Sequence, residues 1–323
     1  MQRYGLAFLG APRVPEMVDL ARLAEDAGCE SVWIAETRIT RDGFVPAGAI
    51  AMCTNQIGIG TGIVNVFTRG PVLSAISFAT LDEASSGRAI VGLGAGSPLV
   101  LAAQGQGFEK PLTRLREYVE VQRLLLTGER VDYEGKTISL VGAQLEFEPF
   151  RRDIPIYLGV TGPKALELVG EIADGAMLNG FLPPAYVQRA ADVIAVGAAR
   201  TGRDVATIDI SMAVITSVDT DGARARDAVR PFVTMYMTRM PNIAAEMGFD
   251  DEQLSRVRLA VAEGGIEAGL PYVSDEMVTA VTVAGTPDEC RARIADYRAA
   301  GVGLPILFPV GDIRRAIKLM RES

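Results

Sequence analysis

The chain contains no histidine. That absence removes three kinds of chemistry together: the Ser-His-Asp triad, the Cys-His nucleophile pair and any metal site built on imidazole. Cysteine is nearly as scarce. Cys29, Cys53 and Cys290 are scattered, odd in number and form no C-x-x-C pair. They read as small buried apolar residues of a protein in a reducing cytosol. No apolar run approaches the ~20 residues that span a bilayer. The opening residues, 1–9, pass straight into a strand-like run, without the apolar core or cleavage site of a secretory leader. Lysine and arginine number 32 against 40 aspartates and glutamates, a formal charge of −8, and no basic tract occurs. Neither nucleic acid nor a membrane is therefore an expected partner. If the protein is an enzyme, its hard chemistry is expected to belong to something it binds, with no metal ligated by the chain.

What is present is a large apolar fraction, 49% of 323 residues. That is long for one domain, but (β/α)₈ barrels reach this size as single units. Apolar strand-like runs alternate with amphipathic stretches from end to end. Strands are expected over 4–9, 31–35, 56–63, 89–93, 156–160, 176–178, 208–218 and 304–308. Helices are expected over 14–27, from Pro46, over 71–85, 112–127, 163–172, 184–200, 287–300 and 313–321. A hairpin is expected over 131–140, turned at Glu134-Gly135. Eight nearly continuous apolar strands with helices between them predict a parallel sheet covered on its outer face, closed as a (β/α)₈ TIM barrel. The rival arrangement is a doubly wound open sheet. One domain over 1–323 is expected, with insertions at about 97–150 and a mostly helical one at about 222–276.

In such a barrel the site lies where strands end. Three ends are rich in glycine. The third strand runs Gly58-Ile59-Gly60-Thr61-Gly62-Ile63-Val64-Asn65, the fourth Gly92-Leu93-Gly94-Ala95-Gly96-Ser97, the fifth Gly159-Val160-Thr161-Gly162-Pro163-Lys164. Any one of these is most simply an ordinary barrel turn. Three at successive ends on one rim point to a flat ligand that the backbone must approach closely. Gly162-Pro163 also begins a helix, whose free N–H groups and positive dipole end suit a phosphate, with Lys164 adding charge. No run is a complete dinucleotide fingerprint, since Gly92-x-Gly94-x-x-Ser97 lacks its third glycine.

At these residues the chain resembles a known family. The run from Thr61 to Pro71, then Ala79-Thr80-Leu81-Asp82-Glu83, Ser86-Gly87-Arg88-Ala89 and Gly92 to Gly96 are similar to the bacterial-luciferase-like superfamily. So are Lys110-Pro111-Leu112, Tyr133-Glu134-Gly135, the stretch from Pro155 to Gly175, and Val283-Ala284-Gly285-Thr286-Pro287. Nearly the whole chain takes part, and the nearest likeness is to the coenzyme F420-dependent methylenetetrahydromethanopterin reductases. The resemblance implies a barrel that binds F420 or FMN. It implies a non-prolyl cis peptide at Gly62-Ile63 backing the flavin ring, flanked by Thr61 and Asn65. Gly94, Ala95, Gly96 and Ser97 would line the ring or ribityl chain, Thr161, Gly162, Pro163 and Lys164 the phosphate, and Asn179 a further contact. Homo-oligomers, dimer or tetramer, are usual in the superfamily, often through helices two and three. Three departures bear on the substrate: Glu36-Thr37 replaces an Asp-His pair, Arg69-Gly70-Pro71 replaces Arg-His-Pro, and Ala7 stands where a carboxylate is common.

Glu36 has two readings of equal weight. At the rim its carboxylate would hold the ring or relay a proton, as the candidate catalytic group; alternatively it pairs with Arg38, Arg41 or Arg69. Trp33 reads as core. Arg38, Arg41, Arg69 and Arg114 would serve an anionic coenzyme tail or form a solvated rim, the latter favoured for each alone. Met235, Met237 and Met240 read as helix packing before pocket lining. The leading function is an F420-dependent oxidoreductase acting on a small organic substrate. The alternatives are an FMN-dependent monooxygenase with a reductase partner, a cofactor-binding protein without catalysis, and an unrelated sugar-phosphate barrel.

Overall fold

The computed structural model describes residues 2–8, 12–36 and 39–322. In chain order the elements are β1 (Gly5–Phe8), α1 (Val14–Asp26), β2 (Ser31–Glu36), α2 (Phe44–Ala51), β3 (Gly58–Asn65), α3 (Pro71–Ala84), β4 (Ala89–Gly94), α4 (Pro98–Ala102) and α5 (Pro111–Leu126). Then follow β5 (Val131–Glu134), β6 (Ser139–Ala143), β7 (Ile156–Val160), α6 (Pro163–Ile172), β8 (Gly175–Leu178), α7 (Pro184–Thr201) and β9 (Asp209–Val218). The chain continues through α8 (Gly222–Arg239), α9 (Pro241–Ala244), α10 (Asp251–Gly269), α11 (Asp275–Val281), β10 (Val283–Gly285), α12 (Pro287–Ala299), β11 (Leu304–Pro309) and α13 (Ile313–Arg321). Proline stands in the first turn of α1, α3, α5, α6, α7 and α12, where its missing N–H costs nothing.

β1, β2, β3, β4, β7, β8, β9 and β11 pair in that order, all parallel. The β1–β11 and β8–β9 pairings close the ring, which is a TIM barrel and not an open doubly wound sheet. At its N-terminal end Arg3 clasps Glu30 at 2.7 Å and Asp209 at 2.7 Å, and the Tyr157 hydroxyl donates to Asp209 at 2.9 Å. The fully buried Trp33 lies inside, edge-on to Tyr157 with ring centroids 5.5 Å apart. Gly60 is what admits that indole: a Cβ there would sit 2.6 Å from its ring.

Several boundaries differ from the sequence reading, each for a local reason. α2 begins two residues before Pro46, because Asp42 Oδ1 accepts from the N–H groups of Phe44 (3.0 Å) and Val45 (2.8 Å). β3 starts at Gly58, not 56, because Glu25 Oε1 takes the N–H groups of Asn55, Gln56 and Ile57 at 2.6–2.9 Å. It also runs on to Asn65. The β5–β6 turn centres beyond Glu134-Gly135, since the Gly135 N–H donates to the Ile138 carbonyl at 2.8 Å. The 97–150 region also holds α4, and β10 adds a short parallel strand to β9; neither was read from periodicity. Cys29 and Cys290 are buried, their thiols each pushed up to about 12 by burial, but Cys53, just beyond α2, is exposed. The 222–276 region is helical as expected, with α10 broken at Gly264-Gly265.

Candidate functional site

The register of β3 carries one extra residue. Between Ile34↔Thr61 and Glu36↔Val64, β2 advances two residues while β3 advances three. Between Gly60↔Ile90 and Val64↔Leu93, β4 advances three while β3 advances four. The bulge falls on Thr61-Gly62-Ile63, and the Gly62–Ile63 peptide is cis. Such a bulge re-aims a side chain at the rim. Here it lays Ile63 across two glycines: a Cβ on Gly94 would lie 2.8 Å from Ile63 Cγ1, and one on Gly159 would lie 2.7 Å from its Cγ2. Gly94 and Gly159 are direct neighbours, within a level row Asn65, Gly94, Gly159, Met177 across four strands.

The polar side chains behind this floor bond within the chain. Thr61 is fully buried; its hydroxyl donates to the Gly92 carbonyl at 2.8 Å and accepts from the Gly92 N–H at 3.2 Å. Asn65 donates to the Ala95 carbonyl at 3.2 Å and accepts from the Phe67 N–H at 2.9 Å. Gly96 is left-handed, φ 69°, and a Cβ there would meet Asn65 Nδ2 at 2.2 Å. Ser97 accepts from the Val100 N–H at 3.4 Å and so caps α4. These residues shape the floor, leaving mostly backbone to face a ligand.

Beside Gly94–Ser97 stands the start of α6. The N–H groups of Gly162 and Lys164 have no partner among the described residues, while those of Ala165 and Leu166 both donate to the Gly162 carbonyl at 3.0 Å. A Cβ on Gly162 would meet nothing within 4 Å. Free donors, a helix dipole and open space make an anion site. Lys164 is exposed next to them. The Tyr186 hydroxyl donates to the Thr161 carbonyl at 2.5 Å and fixes the loop; burial pushes that phenol upward. Asn179 lies one residue beyond the Val160–Leu178 pair, half-buried, and its amide has no hydrogen-bond partner among the described residues.

Glu36 does not face this floor freely. Its Oε1 accepts from Arg69 Nε at 2.9 Å, and its Oε2 accepts from Arg69 at 3.3 Å and from the Gly43 N–H at 3.0 Å. Arg69 also reaches Asp42 at 2.9 Å and lies over the Phe44 ring, 4.6 Å from its centroid. Burial works against that guanidinium charge, but Glu36 and Asp42 more than offset it and hold its pKa above the ordinary value. Of the two readings of Glu36, the ion pair is the one the geometry builds. Thr37 and Arg38 lie outside the described residues. Arg69 and Arg114 are not a solvated rim: Arg114 donates to the carbonyls of Val66 (2.7 Å) and Thr137 (3.2 Å), tying the hairpin to the end of β3. Sequence reasoning missed Asp42, Gly43 and Phe44, which sit in a loop without periodicity. It also missed Phe181, whose only signal is its place in Gly180-Phe181-Leu182-Pro183-Pro184.

Residues 4–303 match the model of the family described as luciferase-like monooxygenase. The chain belongs to that family. A 5,10-methylenetetrahydromethanopterin reductase of Methanolobus tindarius is 36% identical over 324 residues, covering 99% of this luciferase-like chain and 98% of the relative. An F420-dependent glucose-6-phosphate dehydrogenase of Nocardia farcinica is 29% identical over 324 residues, covering 95% and 92%. Among solved structures, the coenzyme F420-dependent tetrahydromethanopterin reductase of Methanopyrus kandleri superposes with a TM-score of 0.90 at 29% identity, over 99% of this chain and 97% of that one. The resemblance read from the glycine-rich strand ends is thus that of the family, and the luciferase-like barrel is the fold found.

Proposed function

We propose that the protein is a coenzyme F420-dependent oxidoreductase that moves hydride between the deazaflavin and a small organic substrate. One observation carries the reading: the paired Gly94 and Gly159, floored by Ile63, stand beside the unpaired N–H groups that open α6. A flat ring with a phosphate at its side fits that arrangement. Gly62 and Ile63 support the ring, the backbone of Gly94, Ala95, Gly96 and Ser97 lines it, and Thr161, Gly162, Pro163 and Lys164 hold the phosphate. Thr61 and Asn65 act from behind, by fixing the bulge and the Ala95 loop. Asn179 offers its free amide. Glu36 serves by holding Arg69 and the start of α2. When bound, the deazaflavin supplies hydride donor and acceptor chemistry at its C5. What the chain contributes is orientation and a dry floor, which hydride transfer needs more than it needs a nucleophile. A protein without histidine can provide both.

Two relatives carry F420 in their names and differ in substrate, one a tetrahydromethanopterin reductase and one a glucose-6-phosphate dehydrogenase. That pattern supports a shared cofactor and leaves Gly70 and Ala7 as positions where this chain's substrate diverges. No helix among the described residues is long and apolar enough to cross a membrane, and the reading places the enzyme in the cytosol. A second copy of the chain is its partner. Val45 on α2 and Met52 just past its end are 66% and 74% exposed, and Leu73 on α3 is 53% exposed, with Ile76 beside it. Exposed apolar side chains on two packed helices are interface-like.

The experiment is titration of the purified protein with F420 and, separately, with FMN, followed by cofactor fluorescence. Saturable F420 binding, with FMN weaker, is the expected result. Tight FMN binding without F420 binding would overturn the reading and favour an FMN-dependent monooxygenase.

A further inference from the structure

Phe181 has φ +64°, in the left-handed region. A bulky residue persists there only where its surroundings over-determine it. Three contacts do so. Gly180, before it, is pressed on β9, where a Cβ would come 3.1 Å from the Ile215 side chain. Leu182, after it, is fully buried, and its carbonyl accepts the Tyr297 hydroxyl at 2.8 Å. From the insertion, Tyr236 of α8 lays its ring on Phe181, with centroids 4.1 Å apart and planes at 36°. Phe181 itself is buried, so its ring meets α8 and not a ligand.

Two residues upstream is Asn179. Thr61, Asn65, Ser97 and Glu36 all bond within the chain. Asn179 does not, among the described residues, and it stands level with Thr161 at the phosphate loop. Only Gly180 separates it from Phe181, whose left-handed backbone belongs to the turn that follows β8. We infer that the Phe181–Tyr236 stack positions Asn179 for the bound cofactor, so that the helical insertion contributes to binding through this pair. The inference rests on the cofactor reading above.

The test is a double-mutant cycle read by fluorescence titration with F420, with melting temperature recorded beside it. Asn179→Ala and Tyr236→Ala should each weaken binding by about tenfold, the scale of one lost directed hydrogen bond. The double variant should be no weaker than either single one, because the amide is already misplaced. Phe181→Gly accepts the left-handed backbone without strain but removes the ring, and should also lose about tenfold; it serves if Tyr236→Ala does not fold. A lower melting temperature with unchanged affinity, or fully additive losses, would overturn the positioning role. So would unchanged affinity in Asn179→Ala, and that result leaves the cofactor reading intact. If the wild type binds FMN and not F420, the cofactor reading falls, while the same cycle run with FMN still decides the positioning role. Binding of neither overturns both.

Discussion

Gly92 and Gly162 both lie near the C-terminal ends of barrel strands, for opposite reasons. A Cβ on Gly92 would sit 1.7 Å from the Thr61 carbonyl oxygen, a backbone atom turned inward at the bulge. A Cβ on Gly162, at φ −76°, would meet nothing. Gly92→Ala should therefore destabilise the barrel by about 3 kcal/mol, at the upper end of overpacking costs, as measured by urea unfolding. Gly162→Ala should leave stability within about 1 kcal/mol of wild type, since its backbone conformation suits alanine. The same change should weaken F420 binding, because the methyl enters the space beside the free N–H groups. Unchanged affinity in Gly162→Ala would show that the phosphate lies elsewhere. In the sequence both glycines looked alike. What separates them is the path of a neighbouring strand, and no local pattern encodes that. The role of Glu36 is hidden from the sequence for the same reason: its partners Arg69 and Gly43 come from two other segments, and only the fold brings them to it.

The β5–β6 hairpin shows the limit at the scale of elements. Its presence was legible from Tyr133-Glu134-Gly135 between apolar runs. Its anchor was not. Glu117 reads as an ordinary polar position of an amphipathic helix, yet it is buried and accepts the N–H groups of Lys136 (2.6 Å), Thr137 (2.8 Å) and Ile138 (3.0 Å), and the Thr137 hydroxyl at 2.5 Å. Burial alone would raise its pKa, but these bonds outweigh burial and hold it below the ordinary 4.5. A folded-state pKa below the unfolded one stabilises above the unfolded value and is lost as pH falls through the folded one. The hairpin should therefore stay anchored at neutral pH and loosen well below pH 4.5, seen as faster amide exchange across 131–143. Glu117→Gln should loosen it already at pH 7 and flatten that pH dependence. Equal exchange in both proteins at pH 7 would refute the anchor. Because Arg114 ties the same hairpin to Val66, the loosening should reach the end of β3.

At the scale of the whole molecule, the barrel was legible because eight apolar strands at regular intervals leave few other solutions. Closure itself is a long-range fact, made by the β1–β11 and β8–β9 pairings and by Arg3 at the far end. The apolar faces of α2 and α3 belong to this scale too, since individually Val45, Met52 and Leu73 are unremarkable. Together they predict self-association. Val45→Lys combined with Leu73→Glu should shift sedimentation to the monomer with the barrel still folded by circular dichroism. A wild-type chain that sediments as a monomer at tens of micromolar would remove the partner from the account.

Trp33 is the chain's sole tryptophan. It is sealed from water, with its Cβ 3.7 Å from where a Gly62 Cβ would stand. Indole emission from the whole molecule therefore originates at one point, directly under the bulge. Whatever settles on Gly62 and Ile63 settles over that lamp. The protein carries its own optical gauge of occupancy, unlabelled and uncluttered by any second emitter of its kind.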